Sequence, residues 1–465
     1  MARKQVSRRA FLRSMAGVTA GAAGAGILAA CGGSPAPSEA GQNAASGNTN
    51  AGGATSGGAA SGATEVRFHA RIGAQEDALY DWLMPKFMAA NPDIKLVKES
   101  FPGAEYPAKV STMQAGGTLG DAMWSALGGS LIQYHYGQGI IRPLDELVKS
   151  QNVDLKQWYA GCIDAITIDG KLLGLPFKAH PGMAVVYYNQ TALEAAGIPV
   201  PTADWTIEQQ LEMAKALTKT EGDRVTQFGY MPNTGWKGFV TLLRAYGGQL
   251  LSEDGTKFQL NSPEGQAATQ WLYDLHHVHK VAPKPDQITG TGADAANQMW
   301  AAGSIALYQG GTSVSNLAKT IGDKFKWMAV GNAKGPGGVG GSDYEVDAYC
   351  VTANTKNPEK AFQWVQALCN RESGVQLGII GGTIGGRPDV YGDPELLKTP
   401  YRKVFKELMD NAMESRVVAN GRQTEAENAF TQIMQPLWTG DAKPDKAFLD
   451  DVTAQIQTIM DKPKA

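Results

Sequence analysis

From residue 64 onward the hydrophobic positions alternate between two spacings. In "TEVRFHARI", Val66, Phe68, Ala70 and Ile72 take every second place, the period of a half-buried strand. In "QEDALYDWLMPKFMAANP", Leu79, Trp82, Leu83 and Phe87 recur at helical spacing, and Asn91-Pro92 marks the end of that helix. "IKLVKESF" reads as a second strand, and "PAKVSTMQAGG" as a helix stopped by Gly116-Gly117. Further on, "QMWAAGSIALY" predicts a helix stopped at Gly303 and then a buried strand, 305–308. In "NTKNPEKAFQWVQAL" the apolar face Ala361, Trp364, Val365 and Leu368 follows a start at Asn357-Pro358. Strands alternating with helices predict an α/β architecture with mainly parallel sheets. No repeat of 20–50 residues recurs, which excludes a solenoid.

The first 64 residues break this pattern. Residues 1–30 carry five basic side chains (Arg3, Lys4, Arg8, Arg9, Arg13) and no acid, against a net charge of −3 for the whole 465-residue chain. A segment so polarised reads as an address rather than as fold. "SRRAFLR" resembles the twin-arginine export motif, with Arg8 and Arg9 paired. The apolar run 16–30 is shorter than the roughly 20 residues of a membrane span. "LAAC" (28–31) resembles a lipobox, which implies that Cys31 is lipidated and becomes the first mature residue. From 32 to 64 the only charged residue is Glu39 among Gly, Ala, Ser, Asn and Thr, the composition of a flexible tether. Such a tether typically reaches roughly 30 Å. The remaining cysteines, Cys162, Cys350 and Cys369, form no metal spacing. Outside the cytoplasm two of them could pair, and the spacing does not choose which.

Residues 169–218, "DGKLLGLPFKAHPGMAVVYYNQTALEAAGIPVPTADWTIEQQLEMAKALT", resemble the signature block of extracellular solute-binding proteins of ABC importers, the family related to maltose-binding protein. The hairpin G-K-x-x-G-L-P, the strand ending Y-Y-N, A-G-I-x-x-P and a helix-opening Trp occur here in that order. "AANQMWAAGSIALYQGG" (295–311) and "DAYCVTANTKNPEKAFQWVQAL" (347–368) fit as well. The resemblance implies a class II two-lobed fold with a ligand cleft between lobes. By it, lobe one holds residues 65–178 and about 288–334, and lobe two about 179–287 and 335–465. It places crossings near 177–181, near Ile288 and near the Gly-rich stretch 334–341. It further implies a lipid-anchored receptor on the outer face of the cell membrane that takes a carbohydrate or polyol to a permease with cytoplasmic ATPase subunits. The implied receptor is a monomer, and the only membrane attachment expected is the lipid.

A sugar presents apolar C–H faces ringed by hydroxyls, so its site wants aromatic platforms with polar groups around them. Trp124 and Ser125 follow an expected strand end, and Trp236 stands on an expected Gly-flanked loop, so both tryptophans are candidate platforms. Phe177 and His180 border the first crossing. Gly310, Gly311 and Thr312 lie at the carboxyl end of the 305–308 strand, where α/β sheets bind ligands. Asp343 and Tyr344 open the last crossing, and Arg387 ends "GGTIGGR"; Asp343 and Arg387 suit bidentate hydroxyl contacts.

Other patterns weigh less. "HHVH" (His276, His277, His279) near a helix end is explained by the helix dipole without zinc. "GTGADA" (290–295) lacks the leading strand and the distant acid of a dinucleotide site. "SDYEVDAY" lacks calcium-loop spacing. No catalytic motif, cofactor, metal site or nucleic-acid surface is expected. The competing readings are a glycan-processing surface enzyme, a sensor lipoprotein, and the same fold binding a glycerol phosphodiester.

Overall fold

A computed structural model describes residues 62–464 apart from 104, 127–130 and 291–293. Arg8, Arg9, Cys31 and nearly all of the tether lie outside the described residues. The alternating segment forms β1 (Thr64–Arg71), which ends one residue before Ile72. Ile72, expected on the buried face, is therefore exposed, while His69 is buried opposite it. Helix α1 (Ala74–Ala90) buries Leu79, Leu83 and Phe87 as its spacing predicts, with Tyr80 rather than Trp82 completing the face. Trp82 instead lies beneath the Lys86 ammonium, 3.7 Å from the ring centre. Helix α2 (Tyr106–Ala115) stops at Gly116, as its sequence predicts.

Two five-stranded sheets organise the described residues. The first joins β1, β2 (Ile94–Phe101), β3 (Ala122–Ala126), β4 (Leu175–His180) and β10 (Glu345–Val351) in the order β2-β1-β3-β10-β4. The second joins β5 (Val185–Asn189), β6 (Lys219–Glu221), β7 (Arg224–Met231), β8 (Ile305–Gly310) and β9 (Trp327–Gly331) in the order β9-β5-β8-β7-β6. Only β1–β2, β1–β3 and β7–β8 pair in parallel, so the sheets are mixed rather than mainly parallel. Strands that return across the hinge run antiparallel to those already laid down, as β10 does between β3 and β4.

The expected assignment of segments to lobes is corrected by this pairing. Strands β8 and β9, expected in lobe one, both pair with β5 in the second sheet. Strand β10, expected in lobe two, lies inside the first. An apolar run such as Ile305–Leu307 announces a doubly covered strand, but its composition does not say which sheet covers it. The chain thus does not return near Ile288. It crosses at 181–184, returns at 341–344, and crosses again at 411–418.

These crossings run side by side. The Asp343 N–H donates to Pro181 O (3.3 Å) and the Tyr344 N–H to Met413 O (3.2 Å). Gly341, at φ +73°, packs where a Cβ would lie 2.0 Å from Thr241 O, so any side chain would push the crossing off the second lobe. Helix α3 (Trp236–Ala245) supplies that carbonyl. Helix α5 (Pro400–Asp410) sits behind the crossings and touches both lobes. Tyr401 stacks on Trp327 of β9 (5.1 Å), while Arg402 donates to Gly378 O (2.9 Å) and Asp410 accepts from Tyr159 OH (2.7 Å).

The first core gathers Phe68, Phe177 and Tyr349 with Trp364 of α4 (Pro358–Leu368), and continues to Tyr187 and Trp300 on one face of the second sheet. The other face, with Val186, Tyr188 and Leu307, packs on Phe239 of α3 and on Phe430 of α6 (Gln423–Thr439). Cys162, Cys350 and Cys369 are all free and buried, so no pair forms among them. Burial pushes each thiol well above its ordinary range, away from the reactive thiolate. All three are expected to resist maleimide in the native protein and to label completely in denaturant, as read by intact mass. Native labelling of any one would contradict its placement.

Candidate functional site

The two lobes enclose a cavity of about 470 Å³, within the usual range of roughly 300–1,000 Å³ for small-molecule sites. Strand alternation builds its first wall. In β4, Phe177 and Ala179 face the core while Lys178 and His180 face the cavity, and in β10 Glu345 and Asp347 do the same. The antiparallel register sets Glu345 opposite His180 and Asp347 opposite Lys178. The wall is completed by Arg71 at the end of β1 and Trp124 in the middle of β3. The second lobe adds Lys237 from α3, Ser313 just beyond β8, and Thr424 and Glu427 from α6.

Charges in this cavity come in pairs. Lys178 Nζ donates to Glu76 Oε1 (2.5 Å) and lies 3.1 Å from Asp347 Oδ2. Lys237 Nζ donates to Glu345 Oε2 (2.7 Å), with His180 Nε2 3.5 Å from the same oxygen. Burial alone would raise Glu76, Glu345 and Asp347, yet the neighbouring ammonium groups win and hold all three below the ordinary carboxylate range. Burial lowers His180 against the pull of Glu345, leaving a neutral imidazole at pH 7. Glu427, whose carboxylate accepts from Gln423 (3.0 Å), is instead raised by burial. Trp124 is the aromatic side of the wall. Tyr106 meets its ring edge-on at 5.2 Å, and the Arg71 guanidinium lies over it at 4.7 Å. The arrangement offers ion-paired donors and acceptors beside one ring, which is suited to a neutral ligand carrying many hydroxyls.

Of the candidates read from the sequence, Trp124 and His180 line this cavity. Ser125 turns inward to His135 Nδ1 (3.0 Å), and Phe177 packs edge-on to Tyr349. Trp236, expected on a loop, opens α3 and is buried, stacked on Phe258 at 5.2 Å. Gly310 ends β8, and Gly311 and Thr312 accept from Tyr187 OH through their carbonyls (3.0 and 3.3 Å). The next residue, Ser313, is the one that reaches the cavity. Asp343 lines a separate void of about 30 Å³ and is pushed by burial up to about 7, with Arg244 at 3.5 Å pulling the other way. Tyr344 donates to Met409 O (3.1 Å) behind the hinge. Arg387 is buried over Trp158 and held by Asp389 (2.7 and 2.9 Å) and Gln157 (2.8 Å).

Read from the sequence, Lys178 is a candidate only as a basic group for a phosphate ligand, and Arg71, Lys237, Glu345, Asp347 and Glu427 are not among the candidates. The one available signal was the alternation of charge in "FKAH" and "YEVD", which is a strand pattern with charge on one face. Two histidines of "HHVH" are structural: His276 donates to Pro283 O (2.9 Å) and His277 to Leu437 O (2.8 Å). Among the described residues no cluster of side chains could hold a metal, and no helix is long and apolar enough to cross a membrane.

Residues 82–403 match the family model described as bacterial extracellular solute-binding protein. A Brucella abortus protein, named only as a binding protein, is 24% identical over 404 residues, 86% of this chain and 94% of its own length. Among solved structures, an ABC substrate-binding protein from Listeria monocytogenes in complex with cycloalternan has a TM-score of 0.73 at 22% identity, covering 86% of this chain and 99% of that one. The GacH receptor of Streptomyces glaucescens, solved unliganded and with acarbose, has a TM-score of 0.71 at 19% identity, covering 86% and 100%. At these identities the structural likeness speaks for the two-lobed fold.

Proposed function

The chain belongs to the bacterial extracellular solute-binding proteins, and from that premise we propose that it captures a carbohydrate or related polyol and delivers it to the permease of an ABC importer. The observation that carries this reading is the interlobe cavity, where Trp124 stands among ion pairs contributed by both lobes. Carboxylates and ammonium groups that neutralise each other still offer acceptors and donors to hydroxyls. A phosphate ligand would need converging cations free of partners, whereas Lys178 and Lys237 are both engaged by carboxylates. This favours the sugar over the glycerol phosphodiester. Capture involves no bond making: ligand contacts with both walls stabilise the closed form by their differential affinity for it.

Calorimetry against mono-, di- and trisaccharides and glycerol phosphates tests the proposal, and a bound saccharide should be recovered chemically unchanged. For the best ligand, Trp124→Ala should weaken binding by about 2 kcal/mol, roughly thirtyfold. Saccharides that all fail while a glycerol phosphate binds would overturn the carbohydrate reading, and a cleaved glycan would overturn capture itself. We place the protein on the outer face of the cell membrane, held by a diacylglyceryl group on Cys31 after export directed by Arg8 and Arg9, acting as a monomer. A Cys31→Ser protein should leave the membrane fraction; one that stays there with its lipid would refute the anchor.

A further inference from the structure

Lys237 stands at the meeting point of the two lobes. Its helix α3 belongs to the second lobe, packed on α6 through Phe239 and Phe430 (5.1 Å). The carboxylate it binds, Glu345, is the first residue of β10 in the first sheet. Only the hinge segment 341–344 separates that strand from the second lobe, so this 2.7 Å ion pair closes the cavity across its floor. A second carboxylate flanks the same ammonium. Glu427 lines the same two cavities as Lys237 and Glu345, and the charge on Lys237 lowers the proton affinity of both acids. Glu427 lies on α6 and therefore travels with Lys237 whenever the lobes part, whereas Glu345 stays with the other sheet.

We infer that Lys237 is a two-position latch: it ties the lobes together through Glu345 when they are closed and is taken over by Glu427 of its own lobe when they open. Lys237, whose side chain is 35% exposed, is only partly withdrawn from water and still favours an opposite charge beside it. With one partner on each side of the opening motion, neither state leaves Lys237 unpaired. The empty protein is thereby held near balance, and a modest differential affinity of ligand then decides closure. Arg71 and Lys178 cannot do this, because their carboxylate partners Glu76 and Asp347 belong to the same lobe as they do. Arg416, which borders the smaller void, donates to Leu251 O (3.1 Å) within the second lobe.

The inference rests on the solute-capture reading for the opening of the lobes and not for the identity of the ligand, so its test is made without ligand. Spin labels at positions 146 and 454, both exposed and one on each lobe, report lobe spacing in the full chain by electron–electron double resonance. Glu345→Gln removes the closed-state partner and should raise the open-to-closed ratio about fivefold, the effect of about 1 kcal/mol. Glu427→Gln removes the open-state partner and should lower that ratio by a similar factor. In a Lys237→Met background both substitutions should fall silent. Shifts of the same sign, no shift in either single variant, or shifts that persist in Lys237→Met would overturn the latch. Near-ultraviolet circular dichroism confirms folding, and Glu345→Asp, which keeps the charge on a shorter arm, should fall between wild type and Glu345→Gln. If the latch holds while no saccharide binds, the carbohydrate reading fails alone.

Discussion

Trp236→Ala should lower the unfolding free energy by about 3–5 kcal/mol and leave the selectivity of the cleft as it was. Its indole is buried, stacked on Phe258 at 5.2 Å and edge-on to Phe430 at 5.7 Å. Truncation removes the contacts of a large side chain between two fixed rings, and the collar of Phe239, Phe258 and Phe430 cannot collapse into the gap without moving α6. Urea unfolding should show a lower midpoint at an unchanged slope, the sign of altered stability rather than altered compactness. Binding measured well below the new midpoint should keep the wild-type ranking of saccharides. Trp124→Ala should show the opposite balance, with affinity lost more than stability. A Trp236→Ala protein as stable as wild type but unable to bind would return this side chain to the ligand.

That contrast also explains what was legible in the sequence and what was not. Local elements were readable because each rests on a short-range rule. Gly303 stops the helix before β8 at φ +79°, and Asn357-Pro358 starts α4 with its apolar face on the first core. The hinge sites were approximately readable, since 177–181 and 334–341 lie beside the observed crossings. The lobe to which each strand returns was not readable. Sheet membership of Ile305–Gly310 is decided by pairing with Val185–Asn189, more than a hundred residues away. The two tryptophans were equally ambiguous. Trp124 sits on the cleft face of its strand because of a register that pairs it with Tyr349, and Trp236 opens a helix whose apolar face continues through Phe239 and Leu243. The charged wall escaped notice for a related reason. Lysines and acids read singly look like solvated surface, and only the β4–β10 register brings Lys178 to Asp347 and His180 to Glu345.

The same wall carries the second large effect, at Lys178. Its side chain is 7% exposed, with the ammonium held between Glu76 and Asp347, whose side chains are 13% and 25% exposed. Lys178→Met strips two poorly solvated carboxylates of their main cation, and breaking such a buried pair costs about 3–5 kcal/mol at neutral pH. The pH dependence should invert as well. In the wild-type protein, burial raises both acids but Lys178 overrides it, so both titrate below their ordinary values. Their contribution to stability is therefore complete above the unfolded-state values and is lost as pH falls through the folded ones. In Lys178→Met, burial is left opposed by Arg71 and, at Glu76, by a backbone hydrogen bond, and the acids should titrate above their unfolded values. The variant's loss is then greatest at pH 7 and should shrink as pH falls toward 5 and the carboxyls take up protons, whereas in the wild type Glu76 and Asp347 gain nothing over that range; Asp343 and Glu427, raised by burial in both proteins, add the same slope to each. Urea midpoints at pH 7, 6 and 5 read the two slopes directly. Adding Glu76→Gln and Asp347→Asn to Lys178→Met should remove the buried charge altogether and return most of the lost stability. A Lys178→Met curve running parallel to that of wild type would mean that water, not Lys178, neutralises this wall.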